Sequence, residues 1–177
     1  MPPLMPSLPA SLGPTVLGNL RRLAPLRTRR AKSVRVLILG AGVMAEEVAT
    51  HLTLPETISG PSGTMALRSP AAPPEFTIAG VWARDRQKTG RFAGKFGVPG
   101  FSEREAANSL NYIDAVVVTC QARVSLLSDR VLSPLLESRV EPLLVLDLGV
   151  PRNLDPVLAQ RDGLHVIFLG GTLWARL

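Results

Sequence analysis

VRVLILGAGVMA, residues 34–45, decides the fold. Its first half is an unbroken β-branched and leucine run, which reads as a parallel strand buried on both faces. It then breaks at Gly40, Ala41 and Gly42 and resumes with Val43, Met44 and Ala45, the start of a helix. Strand, glycine turn and helix in that order make a dinucleotide-binding turn. Gly40 allows the bend, Gly42 lets backbone N–H groups approach a pyrophosphate, and Ala45 keeps the helix close to its sheet. The helix N-terminus then faces the anion. The other reading is an empty fold retained as scaffold, because glycine-rich turns also simply end strands.

Composition bounds what surrounds this turn. The chain has 177 residues, 46% of them hydrophobic, 19% charged and 5% aromatic. That is room for one domain with a core of Val, Leu and Ala, as in α/β folds, plus modest extensions. No apolar run approaches the roughly 20 residues of a membrane span, so a soluble protein without a membrane partner is expected. The single cysteine, Cys120, rules out an intrachain disulfide and offers no zinc-binding set. No metal is expected, and a cytoplasmic setting is the default.

The formal charge of +6 is unevenly spread. Residues 1–33 are rich in Pro, Leu and Arg, contain no acid, and end in Arg21, Arg22, Arg27, Arg29, Arg30 and Lys32. They read as a flexible extension. The charge follows the apolar part, the reverse of a secretory signal; an organellar transit peptide and a contact with RNA phosphates are the other readings.

After the glycine turn, residues 44–52 form the first crossover helix. Residues 54–75 hold Pro55, Gly60, Pro61, Gly63, Pro70, Pro73 and Pro74, and read as an exposed loop insertion. Residues 76–83, FTIAGVWA, are the second strand. At its end an acidic residue takes a ribose 2′-hydroxyl and an arginine accommodates a 2′-phosphate. This chain supplies Ala83, Arg84, Asp85, Arg86 and Lys88, which favours NADP(H), with Asp85 as N-cap of the next helix. Solvated surface charges are the alternative.

Residues 87–96 are that helix, closed by Gly97, and residues 98–101 a short third strand or turn. Ser102 and Glu105 make a capping box. Residues 115–119 are the fourth strand, which puts Thr119, Cys120 and Gln121 at the edge where open α/β sheets bind ligands. Cys120 is read as a small residue lining the crevice, with a nucleophile as the alternative; His51 and His165 are read as packed or surface-exposed.

Residues 124–138 carry a helical apolar face with Pro134 as a kink or boundary. Residues 143–148 are the next strand, running into Asp147, Gly149, Val150 and Pro151. Asp147 is a charge at the end of an apolar strand. It either binds local backbone N–H groups and holds the turn, or contacts the nicotinamide. Residues 165–169 are the last strand.

The expected architecture is therefore a doubly wound, mainly parallel α/β sheet with helices on both faces, an NAD(P)-binding Rossmann fold. It spans residues 34–170, with 171–177 as a tail. The candidate cofactor-binding residues are those named at the four strand ends, and no catalytic residue is assigned.

VRVLILGAGVMA, the Ala83-Arg84-Asp85 strand end, DAVVVTCQA and above all LLVLDLGVPRNLDP followed by GLHVIFL resemble the NADPH-binding domain of glutamyl-tRNA reductase. That family reduces the glutamyl group of glutamyl-tRNA to glutamate-1-semialdehyde, the entry to five-carbon tetrapyrrole synthesis. The resemblance covers residues 34–169. It implies NADPH as cofactor, Gly40, Gly42 and Ala45 as the phosphate turn, Arg84 at the 2′-phosphate, and Thr119 and Val150 to Arg152 on the nicotinamide side. The family's Ser-Thr-Cys-Asn-Arg motif, whose cysteine forms the thioester, has no counterpart here, and Cys120 does not take its role. On this reading the chain is a truncated form or one half of a split enzyme, with a separate catalytic chain and glutamyl-tRNA as partners. A small dehydrogenase of shikimate or precorrin type and a non-enzymatic nucleotide-binding module are the alternatives.

Overall fold

The computed structural model describes residues 16, 20, 33–53, 57–59, 65–67, 76–120 and 125–168. Strand β1 (Val34–Leu39) leads through the glycine turn into helix α1 (Val43–Thr53). Strands β2 (Thr57–Ser59) and β3 (Met65–Leu67) precede β4 (Phe76–Trp82), α2 (Arg86–Phe96) and α3 (Glu103–Ser109). Then come β5 (Ala115–Val118), a 3-10 turn (Ser125–Leu127), α4 (Asp129–Ser138), β6 (Leu143–Asp147), a second 3-10 turn (Leu158–Gln160) and β7 (Leu164–Phe168).

Five strands form one sheet in the order β4-β1-β5-β6-β7, with every pairing parallel. A parallel sheet must be covered on both faces, and the alternation along β1 shows how. Val36 and Ile38 pack with Ala45, Val48 and Leu52 of α1 and Phe92 of α2. Leu37 and Leu39 pack with Ala106, Leu110, Leu126, Leu132 and Leu135 on the other side. Each fully buried Val or Leu contributes about 1.5–3 kcal/mol, so the unbroken apolar runs are what hold the sheet. At the opposite edge from the glycine turn, buried Asp114 accepts from Arg35 N at 2.7 Å, and Asp114 N donates to Arg35 O at 2.9 Å. That fixes the start of β5 against β1.

The Rossmann architecture read from the sequence is present, with several local differences. The helix expected over residues 124–138 is two pieces. Ser128 restarts it, accepting from Leu132 N at 2.9 Å through its carbonyl, and Pro134 lies inside α4 instead of ending it. Ser128 stands at this start in an extended conformation without a side-chain cap bond, and the break lets the adjacent residues Leu126 and Leu127 both be buried. Of the two readings of residues 98–101, strand or turn, the turn is found, with one parallel bridge of Val81 with Gly100. Within the expected loop 54–75, β2 and β3 pair antiparallel, Thr57 with Leu67 and Ser59 with Met65. The Pro and Gly residues around these short runs hid them; the remainder of 54–75 lies outside the described residues.

Two residues of the segment 1–33, read as a flexible extension, are described in the core. Val16 and Leu20 are helical and each 1% exposed, within the same core cluster as Val36, Val48, Leu144 and Leu146. Residue 33 is described as well; the rest of that segment, Leu169 and the tail 171–177 lie outside the described residues.

Candidate functional site

The strand ends are flush. Leu39 pairs with Trp82 on one side and Val118 on the other, Val118 pairs with Asp147, and Asp147 with Phe168. Gly40, Ala83, Thr119 and Leu148 are therefore the first residues beyond a single edge. The chain goes to β4 on one side of β1 and to β5 on the other, which makes this edge a topological switch point, where open sheets take ligands.

Gly40 has φ +115°, a conformation that side chains avoid, and its N–H donates to Trp82 O at 2.7 Å. A Cβ there would overlap Thr119 Oγ1 and lie 3.1 Å from Cys120 N. Thr119 in turn donates to Leu39 O from both its N–H, at 2.8 Å, and its hydroxyl, at 3.1 Å. The ends of β1 and β5 are thus locked together by a bend that only glycine permits.

Gly42 differs. It is the last residue before α1, and its carbonyl accepts from Glu46 N at 3.1 Å. With no side chain, it leaves the first amides of α1 without the cap that a helix start ordinarily uses. Nothing lies within 4 Å of where its Cβ would be. The positive end of the α1 dipole therefore opens onto the crevice, the chemistry a phosphate needs. Ala41 and Met44 are half-buried against the core, Ala45 is fully buried, and Val43 is exposed.

At the end of β4 the helix start is closed instead. Asp85 Oδ1 accepts from Gln87 N at 2.9 Å and Lys88 N at 3.1 Å. The Lys88 backbone N–H, with the Gln87 N–H and the Lys88 and Arg91 charges, holds the Asp85 carboxyl below its usual range. Asp85 is thereby the expected N-cap, and this bonding occupies it within the helix start. Arg84 is exposed and, among the described residues, joins no ion pair. Arg86 lies close enough to Glu105 to reinforce the lowering of that carboxyl, which the Ser102 backbone N–H mainly causes.

Thr89, which sequence reading missed, holds this loop. Its buried hydroxyl accepts from Ala83 N at 3.1 Å and donates to Asp85 O at 3.0 Å. The signal available was its place one turn after an Asp cap.

Across the switch point, Asp147 is 1% exposed. Its Oδ1 accepts from Gly149 N at 3.0 Å, and its Oδ2 from Asn153 N at 2.6 Å and Leu154 N at 2.9 Å. Of the two readings of this carboxylate, holding the turn is the one observed; its oxygens face amides of its own loop. Asn153, also missed, joins this loop to the one after β5, donating from Nδ2 to Cys120 O at 2.7 Å and Asp147 Oδ1 at 3.3 Å. A Cβ on Gly149 would overlap that Nδ2. An asparagine in a turn after an aspartate was the available signal.

Cys120 is partly buried, its Sγ 3.7 Å from Asn153 Oδ1. His51 sits in the last turn of α1, its Nδ1 2.9 Å from Glu47 O, and His165 pairs in register with Leu144. Neither is at the edge that carries Cys120. Val150 and Pro151 are exposed on the same rim, joined by a cis peptide bond. Gln121 lies outside the described residues. Among the described residues no His, Cys, Asp and Glu group is arranged to hold a metal, and no helix is long and apolar enough to cross a membrane.

The sequence profile of the Shikimate / quinate 5-dehydrogenase family matches residues 74–169, over half of the chain. The chain belongs to the shikimate/quinate 5-dehydrogenase family. That match spans β4 to the end of β7, hence the Arg84 loop, the Thr119 edge and the Asp147 turn. Among curated proteins, the glutamyl-tRNA reductase of Rubrobacter xylanophilus is 29% identical over 129 residues, covering 73% of this chain and 26% of that protein. The resemblance to glutamyl-tRNA reductase read from the sequence thus stands, and this member of the shikimate/quinate dehydrogenase family spans about a quarter of the length of the curated relatives it matches. Among solved structures, glutamyl-tRNA reductase from Methanopyrus kandleri superposes with a TM-score of 0.61 at 17% identity, covering 90% of this chain and 35% of that one. Shikimate 5-dehydrogenase from Thermus thermophilus, solved with NADP(H) and shikimate, gives 0.52 at 18% identity, covering 89% and 49%. Both share the fold.

Proposed function

We propose that the chain is the NADPH-binding part of a glutamyl-tRNA-reductase-like oxidoreductase. The observation that carries this reading is the start of α1: a helix whose first amides open onto the switch point, with Gly42 leaving room for a phosphate. The residues fit the cofactor. Backbone N–H groups at Gly42, Val43 and Met44 would hold the diphosphate beside Gly40 and Ala41, and Arg84 a 2′-phosphate, on a loop that Asp85 and Thr89 keep in place beside Ala83 and Arg86. The nicotinamide would lie between Thr119–Gln121 and Gly149–Pro151, two loops that Asn153 joins.

When bound, NADPH supplies a hydride. The chain's own contribution would be to hold and orient that donor through the residues named above. Forming the acyl thioester and recognising glutamyl-tRNA belong, on this reading, to a separate catalytic part. A second reading, a small NADP-dependent dehydrogenase of shikimate type, draws on the family match over residues 74–169.

Titrating NADPH and NADH while following the intrinsic fluorescence of Trp82 and Trp174 tests the proposal. NADPH should bind about tenfold or more tightly than NADH, and Arg84→Ala should remove the preference, since a charge-assisted contact of this kind is worth that much. Equal preference in the variant and the wild type would remove the NADP assignment. Oxidation of NADPH by the chain alone with a small keto acid would favour the second reading; turnover only on adding a catalytic partner would favour the first.

A further inference from the structure

The loop of Val150 to Arg152, which the resemblance puts on the nicotinamide side, presents a cation at the same edge. The Arg152 guanidinium lies over the Phe168 ring, 4.5 Å from its centroid. Phe168 ends β7 in register with Asp147, so the guanidinium stands at the carboxyl edge above β6 and β7. Arg84 stands at the same edge beyond β4, on the other side of β1 and β5. The crevice therefore carries an exposed arginine at each end.

Arg152 is held there from both sides. Asn153 and Leu154, the next two residues, are buried, and their N–H groups are bonded to Asp147, which fixes the backbone and turns Arg152 outward. The ring holds the guanidinium by a cation–π contact, and a guanidinium presents N–H donors in a fork that matches a carboxylate. Among the described residues Arg152 joins none of the ion pairs, which are Arg35 with Asp114, Lys95 with Glu46 and Arg161 with Asp129. The nearby acid Asp155 accepts from Val157 N at 2.9 Å.

We propose that Arg152, braced on Phe168, is a carboxylate seat for the compound that faces the nicotinamide. This rests on the cofactor reading above. The phosphates of the cofactor belong to the β1 and β4 side of the crevice, so an anion at the β6–β7 end has to come from the second ligand.

Glutarate is a suitable probe, with the Arg152 Nε–H resonance of the full chain followed in saturating NADP⁺. Glutarate should shift that resonance saturably and uncharged glutaramide should not. Arg152→Gln should weaken glutarate about tenfold or more, as expected for loss of a hydrogen-bonded charge. Phe168→Leu, which keeps the charge and removes its brace, should weaken it severalfold. No saturable shift in the wild type, or equal glutarate affinity in Arg152→Gln, would overturn the proposal. If NADP⁺ itself fails to bind, the cofactor reading falls, and the glutarate titration without nucleotide still decides the seat by the same two outcomes.

Discussion

After β1 the chain turns through Gly40, Ala41 and Gly42 and gives the amides at the head of α1 no side chain. After β6, Asp147 accepts from the amides of Gly149, Asn153 and Leu154. Both turns follow buried apolar strands at one edge of one sheet, and both gather backbone N–H groups. In the second, the anion those groups require is built into the chain; in the first, the place is left open. A carboxylate inside a turn thus makes it rigid and self-contained, whereas glycine in the same situation makes it receptive. Two helix starts repeat the closed case, Asp85 at α2 and Ser102 with Glu105 at α3, while α1 after Gly42 and α4 after Ser128 begin without a side-chain cap bond.

The contrast breaks most severely at the closed turn. Asp147→Ala leaves three buried amides without their acceptor, and at roughly 1–3 kcal/mol for each unsatisfied group the expected loss is about 3 kcal/mol or more in urea unfolding. A loss below about 1 kcal/mol would mean that water serves these amides equally well. Gly149→Ala should cost about 1–3 kcal/mol, because its Cβ overlaps Asn153 Nδ2 and forces the loops after β5 and β6 apart. Thr89→Val keeps the shape and removes the hydroxyl; about 1 kcal/mol of stability should go, and the NADPH-to-NADH preference should narrow as the Arg84 loop loosens.

The smallest effect is on acidification. Amide bonds hold the carboxyls of Asp85 and Glu105 below their usual range, so their stabilisation is complete above the unfolded-state pKa and is lost as pH falls through the lowered folded value. The amide resonances of Lys88 and Ser102 should titrate in that acid window. Those of Val43 and Met44, which no carboxylate caps, should not move with them.

Much of this was legible in the sequence because it is written in local chemistry. The run before Gly40 could only be a buried strand, and Asp85 and Ser102 with Glu105 announce helix starts by residue type and spacing. The Asp147 turn could be located but not decided, since a carboxylate at a strand end bonds to amides or to a ligand with the same residue. What was missed depends on contacts between distant segments. Asn153 matters because it reaches Cys120 across two strands. Val16 and Leu20 sit in a basic, proline-rich stretch whose composition argues for a tail, and only the apolar face they meet reveals them as core. Thr57 and Leu67 pair across Gly60, Pro61 and Gly63, a stretch that local reading takes as loop.

The open turn is tested most directly by giving it what the closed one has. Gly42→Asp has space for its side chain and places a carboxylate where it can accept from the first amides of α1. Measured together, thermal unfolding and NADPH binding should part company: the variant should melt at or above the wild-type temperature, and its NADPH affinity should fall about tenfold or more. A variant that stays folded and binds NADPH as tightly as the wild type would contradict the assignment of the α1 amides to the diphosphate.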